Sequence, residues 1–381
     1  MFEGRIDRRR IVVFTAALLL AGCKVIPSGP KNPPPPPPGD SLPSDQQRHR
    51  VALLVPLSGP NADVGQSIAN ATTMALLDTS AKTIRITTYD TSSGPAAAAS
   101  KAVADGNRLI LGPVQSEDVA AIAAVARAAK VPLISFTSDG QVAARDVFVM
   151  GTTPDNVIAR TVAFARSRGA LRFGLLAPNG DYGARASAAF NAAVKSSGGT
   201  VIASSTYDRS NTSVLSAAQR LRGRGTFDAI LVADGARFAV LAAPRLKPSA
   251  AASPRLLGTE LWSGEGTIAR TPALRGAWFA AISDTRFRQF SESYKARFGA
   301  APYRLATLGY DSVLLTVRIG RDWKAGTPFP ASRLTDRDGF LGLDGPFRFG
   351  AGGLIERALE VREARAGGLS IVSPAPEKFA D

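Results

Sequence analysis

The chain has 381 residues, 45% of them apolar, and a formal net charge of +15, with one histidine and one cysteine. That is enough chain and apolar content for one large or two medium domains with real cores. A lone cysteine rules out an internal disulfide, and a lone histidine, His49, argues against a histidine-based triad or a His-ligated metal.

Residues 1–22 read as an export signal. Arg5, Arg8, Arg9 and Arg10 precede a short apolar stretch over 11–21, which is too short to span a bilayer. The ending Leu20-Ala21-Gly22-Cys23 resembles the bacterial lipobox, which implies that Cys23 becomes the lipid-modified first residue of the mature protein. The alternative is an ordinary cleaved signal followed by an incidental cysteine. Lys24 stands where an inner-membrane retention signal would place Asp, which favours the outer membrane over the inner. The expected location is therefore the periplasmic face of the envelope, with membrane lipid as the first partner.

Residues 23–48 carry six consecutive prolines, Pro33 to Pro38, among Gly, Ser, Asn, Asp and Gln. Such a segment has no apolar surface to bury and reads as a disordered, extended spacer rather than an SH3-type ligand. At ~3.1 Å per residue, it reaches up to roughly 75 Å.

From residue 49 onward, strands and helices alternate. Val51-Ala52-Leu53-Leu54-Val55 reads as a buried strand, followed by a helix over 64–78, a strand over 83–89 and an alanine-rich helix over 95–105. Leu109-Ile110-Leu111, a helix over 116–129 and Val131-Pro132-Leu133-Ile134-Ser135 continue the rhythm. It restarts with strand 172–177, helix 182–196, strand 200–206, helix 211–223 and strand 229–233. Strands separated by helices of 10–15 residues predict βαβ units with parallel sheets. Two such runs predict two α/β lobes rather than one barrel. Phe347-Arg348-Phe349 and Ala358-Leu359-Glu360-Val361 flank Gly350-Ala351-Gly352-Gly353 and read as a late hairpin.

Open α/β sheets bind ligands at the carboxyl ends of their strands, so the chemistry should lie in those loops. They hold no Gly-x-Ser-x-Gly elbow, Walker loop or paired-cysteine site, and no catalytic residue or cofactor is expected. The basic balance invites nucleic acid. The arginines nevertheless fall singly along helices, without basic clusters or aromatic–basic alternation, so no nucleic-acid partner is expected. Anionic headgroups or acidic cell-wall polymers suit this charge better.

What the loops do hold is hydroxyls, glycines and a few acids. Ser116, in Gly112-Pro113-Val114-Gln115-Ser116, is either a helix N-cap or part of a helix-start site for a ligand carboxylate. Ser135 and Thr137 are either turn residues or partners of the same carboxylate. Glu260 is either a solvated loop acid or the counter-charge of a ligand ammonium.

A resemblance spans nearly all of residues 49–370. Leu57-Ser58-Gly59-Pro60, Tyr89-Asp90, Gly112-Pro113-x-x-Ser116, Val131 to Ser135, Asp181-Tyr182-Gly183, Gly258-x-Glu260, Tyr310-Asp311 and Gly345-Pro346-Phe347-x-Phe349 occur in this order. Together they resemble the leucine-binding-protein class of type I periplasmic binding proteins. The resemblance implies two lobes joined by three crossovers, near 151, 283 and 338, giving lobe 1 as 49–151 plus 284–338 and lobe 2 as 152–283 plus 339–375. It also implies a zwitterionic ligand between the lobes. Ser116, Ser135 and Thr137 fall on the positions that hold its α-carboxylate and ammonium, Tyr182 on a cleft tyrosine and Glu260 on the ammonium-binding acid. The aromatics expected after Pro60 and after the strand ending near 233 are Val64 and Asp234-Gly235-Ala236-Arg237 here.

Within the class, Val55 to Pro60, Leu256-Leu257-Gly258-Thr259-x-Leu261-Trp262 and Gly276 to Ala281 are similar to penicillin-binding-protein activator lipoproteins. That likeness implies a regulator of a peptidoglycan synthase. The other expectation is a solute receptor for an amino acid or small peptide, with an ABC permease as partner.

Overall fold

The structure is a computed structural model, and it describes residues 47–247 and 253–379. The export signal, Cys23 and all but the last residues of the proline segment lie outside the described residues.

The first sheet is built from β1 (His49–Val55), β2 (Ile84–Asp90), β3 (Ile110–Leu111), β4 (Leu133–Ser135) and β5 (Val147–Val149), with helices α1 (Ala62–Asp78), α2 (Pro95–Ala104) and α3 (Ser116–Ala128) between them. The order is β2-β1-β3-β4-β5, and every pairing is parallel. Val51 to Val55 are all buried, as a strand covered by helices on both faces requires. The strand order reverses at β1, so the loops leaving β1 and β3 diverge and open a crevice at the carboxyl edge.

The chain then passes to a second sheet. Helix α4 (Pro154–Ser167) precedes β6 (Arg172–Pro178), α5 (Asp181–Ser196), β7 (Thr200–Tyr207), α6 (Ser213–Arg222), β8 (Ala229–Val232), α7 (Ala236–Leu246), β9 (Arg255–Leu257), the short α8 (Gly266–Arg270) and β10 (Trp278–Ala281). The sequence β7-β6-β8-β9-β10 repeats the order of the first sheet. The first turn repeats too. A Cβ on Gly65 of α1 would overlap the Pro56 carbonyl oxygen, and Gly183 of α5 stands in the same relation to Pro178. In both lobes, glycine lets the first helix start directly against the end of the first strand.

After β10 the chain returns. Helix α9 (Thr285–Phe298) packs Phe290 and Tyr294 against Ala71 and Met74 of α1, and α10 (Ala306–Gly320) packs Leu308, Leu315 and Ile319 into the core under β1. A three-stranded antiparallel sheet follows, β11 (Phe340–Gly342), β12 (Gly345–Phe349) and β13 (Ile355–Arg357). Finally β14 (Glu360–Arg365) and β15 (Gly368–Ser373) add an antiparallel edge to the second sheet beside β10.

The expected α/β architecture of two parallel-sheet lobes and three connections is therefore present. Two details differ. Phe340, Phe347, Phe349 and Ile355 are buried in the same cluster as Val51 and Leu53, so residues 340–357 belong to the first core and the third connection lies at Ala358–Leu359, not near 338. The hairpin pairs Phe347 to Phe349 with Ile355 to Arg357, while Glu360 and Val361 already belong to β14. Alternating aromatics show that a strand is half-buried, but they do not show against which core.

Candidate functional site

A cavity of about 560 Å³ lies where the two carboxyl edges face each other. Val114, Ser116, Thr137 and Ser138 from the first sheet's loops line one wall; Val157, Glu260, Ser263 and Ile282 from the second lobe line another. The start of α10, with Arg304 and Thr307, and the β11–β12 turn, with Asp344, complete it. This size is within the ~300–1,000 Å³ typical of small-molecule sites.

Glu260 follows β9 in a tight turn. Gly258 has no Cβ because the Trp262 ring occupies that space, and Trp262, fully buried, donates its indole N–H to Asp234 O at 2.8 Å. The turn is thus pinned to the core, and the carboxylate is pinned as well. Tyr182 OH donates to Glu260 Oε1 at 2.9 Å and lies 3.1 Å from Thr259 Oγ1. Glu260 Oε2 is shielded from water and has no hydrogen-bond partner among the described residues. Burial pushes this carboxyl above its ordinary value, and its own backbone N–H and then the Tyr182 hydrogen bond oppose the shift. Tyr182 itself is not a wall of the cavity; it orients Glu260 from behind, and burial beside that acid raises its own pKa.

Across the cavity, Ser116 is the first residue of α3, and the N-cap position is held by Gln115, which makes no side-chain cap. The Ser116 side chain lines the cavity instead of capping the helix. Thr137 is buried at the cavity edge, where its Oγ1 accepts from Asp139 N at 3.1 Å. Ser135 is different. Its hydroxyl donates to Pro113 O at 3.0 Å and accepts from Thr137 N at 3.3 Å, and it has no surface on the cavity. It ties the β3 and β4 loops together. Ser135→Ala should accordingly cost about 1 kcal/mol of stability, one buried hydrogen bond, with little change in ligand affinity; paired denaturant melts and calorimetry check this.

Other motif residues are also structural. Asp90 accepts from Leu57 N and Ser58 Oγ, both at 2.8 Å, and from Ser92 N at 2.9 Å. These bonds, led by the backbone N–H groups, hold its carboxyl at about 2 and tie down the loop after β1. His49 stacks on Trp323 with ring centroids 4.0 Å apart, and burial lowers its pKa. No cluster of three or more His, Cys, Asp or Glu suited to a metal occurs among the described residues.

Sequence reasoning missed the charged groups that distant segments bring in. Arg185 of α5 reaches Asp139 of the β4 loop at 3.2 Å, an ion pair between the lobes. Arg304 pairs with Asp344 at 2.7 Å, and Thr307 Oγ1 donates to the same carboxylate at 2.8 Å. Asp284, on the second connection, meets Arg362 of β14 at 2.9 Å.

A family model described as a periplasmic binding protein matches residues 49–366. The chain belongs to that family. Among solved structures of this fold, a putative branched-chain amino acid ABC transporter protein from Rhodospirillum rubrum is 21% identical, with a TM-score of 0.74 over 85% of this chain and 100% of that one. The branched-chain amino acid transporter substrate binding protein of Streptococcus pneumoniae, in complex with isoleucine, is 20% identical with a TM-score of 0.58, over 86% and 100%. A solute binding protein from R. palustris in complex with benzoate is 18% identical with a TM-score of 0.58, over 88% and 98%. At these identities the likeness to other periplasmic binding proteins is one of fold. An uncharacterized protein of Rickettsia prowazekii is 30% identical over 122 residues, which are 32% of this chain and 33% of that protein. The chain thus covers about a third of that relative's length.

Proposed function

We propose that this periplasmic binding protein captures a small α-amino acid or short peptide between its lobes and delivers it to an ABC permease. The observation that carries this reading is Glu260, a residue lining the cavity, with one carboxylate oxygen held by Tyr182 and the other shielded from water without a hydrogen-bond partner among the described residues. An uncompensated buried carboxylate is costly, and a ligand ammonium relieves that cost. The opposite pole is the start of α3, where the helix dipole leaves a partial positive charge beside the hydroxyls of Ser116 and Thr137, with Glu117 and Asp118 in the same turn opposing it. Calorimetry of the purified domain against the common amino acids and short peptides tests the proposal, and failure of every zwitterion to bind would refute it.

The pH dependence has a definite sign. The Glu260 carboxyl of the empty site lies above its ordinary value, and an ammonium ligand requires it ionised. Affinity should fall as pH drops through that raised pKa, with a proton released per ligand bound. Titration in two buffers of different ionisation enthalpy measures the release.

Under the second reading, lipid-modified Cys23 and the proline spacer carry the domain towards a peptidoglycan synthase. The residues behind the likeness to activators weaken it. Leu256, Leu257, Trp262, Ala277 and Phe279 are all core residues of the second lobe, so their match reflects packing rather than a partner surface. Cys23 suits a membrane-tethered receptor equally well.

A further inference from the structure

We infer that the preferred solute is a diamino acid, one whose side chain ends in a second ammonium or guanidinium, with that cation seated at Asp284. This rests on the reading of Glu260 as the α-ammonium site.

The chain is strongly basic, with a net charge of +15, yet the charges gathered at its cavity are mainly acidic. Three poles can be separated. At the first, Glu260 keeps an unpartnered oxygen out of water, beside the Arg185–Asp139 pair and within the field of Asp155. At the second, Asp344 is matched by Arg304 and Thr307 and leaves no surplus. At the third, one guanidinium serves two carboxylates. Arg362 Nε binds Glu360 Oε1 at 2.7 Å, its Nη1 binds Asp284 Oδ2 at 2.9 Å, and its Nη2 donates to Ile282 O at 2.7 Å. Every nitrogen of Arg362 is engaged, and one negative charge is left over.

That surplus faces the cavity. The Glu360 side chain is only 5% exposed, whereas that of Asp284 is 43% exposed and lines the cavity wall. Glu260 and Asp284 therefore offer two separate negative poles within one enclosure, with the apolar Ile282 lining the same wall. An α-amino acid with a methylene chain and a terminal cation matches both poles. An acidic cleft in a basic protein also concentrates cations in preference to anions.

Calorimetry with lysine, arginine, leucine, glutamate and norleucine (close to lysine in shape, without the charge) tests the inference. Lysine or arginine should bind about tenfold tighter than norleucine, and the preference should shrink with added salt. Asp284→Asn should bring the lysine-to-norleucine ratio near one, and Asp284→Glu should restore it. A thermal melt of each variant confirms folding. Norleucine or glutamate binding as well as lysine would overturn the inference and leave the ammonium site intact. Failure of all five to bind would overturn both.

Discussion

Glu260→Gln is expected to weaken amino-acid binding by roughly thirtyfold or more while leaving the fold intact. The glutamine keeps the shape and an oxygen for the Tyr182 hydroxyl, so the turn pinned by Trp262 has no reason to move. What disappears is the charge opposite the ligand ammonium. Truncating one partner of a desolvated charge pair costs ~2–5 kcal/mol, much of it from stranding the other charge, and ~1.4 kcal/mol is tenfold in affinity. Unliganded stability should hold or rise slightly, because the variant no longer desolvates a carboxylate. Calorimetry and a thermal melt on the same preparation separate the two effects. Unchanged affinity would show that Glu260 does not meet the ligand.

Asp311→Ala should destabilise the fold by about 3–5 kcal/mol, the usual cost of breaking a buried ion pair by removing one partner. Asp311 of α10 and Arg357 at the end of β13 are both fully buried, with Arg357 Nη1 3.9 Å from Asp311 Oδ2. Arg357 also lies over the Phe347 ring and donates to Met150 O on the first connection, so it remains buried when its counter-charge is lost. Asp311 further accepts from Leu343 N at 2.6 Å and Asp344 N at 3.3 Å, and those amides lose their acceptor. Urea titration with an unchanged slope and a lowered midpoint is the expected result. The wild type should show a matching pH effect. Burial, reinforced by Asp344 and opposed by Arg357, raises the Asp311 carboxyl above its ordinary value, so the folded state keeps this proton to a higher pH than the unfolded chain, and the ion pair with Arg357 is complete only above that raised pKa. Stability should therefore decline as pH rises from the ordinary carboxylate range towards that raised value, and the variant should lose that slope.

The fold was legible because the strands that define it are continuous apolar runs. Val51 to Val55 and Ala229 to Ala233 are buried throughout, a pattern that parallel strands between helix layers produce and amphipathic surface strands do not. Ser116, Thr137 and Glu260 line the cavity because a loop following a strand opens at the carboxyl edge. Ser135 misled because it is the last residue of β4 itself, where alternation turns its hydroxyl inward. The acidic half of the cavity was invisible for a different reason. Asp284, Asp344 and Arg362 come from the connections and from the late antiparallel strands, and no local pattern says which of these segments meet.

The three connections also determine which half of the molecule can be completed first. The core around β1 stays open until Phe340, Phe347, Phe349 and Ile355 have been made, close to the end of the chain. By then β6 to β10 and their helices are already available, lacking only the edge strands β14 and β15. During synthesis, the portion encoded second can therefore consolidate before the portion encoded first. The opening segment, Val51 to Val149, covers one face of its sheet with its own helices but waits with the other face partly open for partners made much later, a long-range closure that slows folding and leaves that face open to aggregation or to whatever holds it meanwhile.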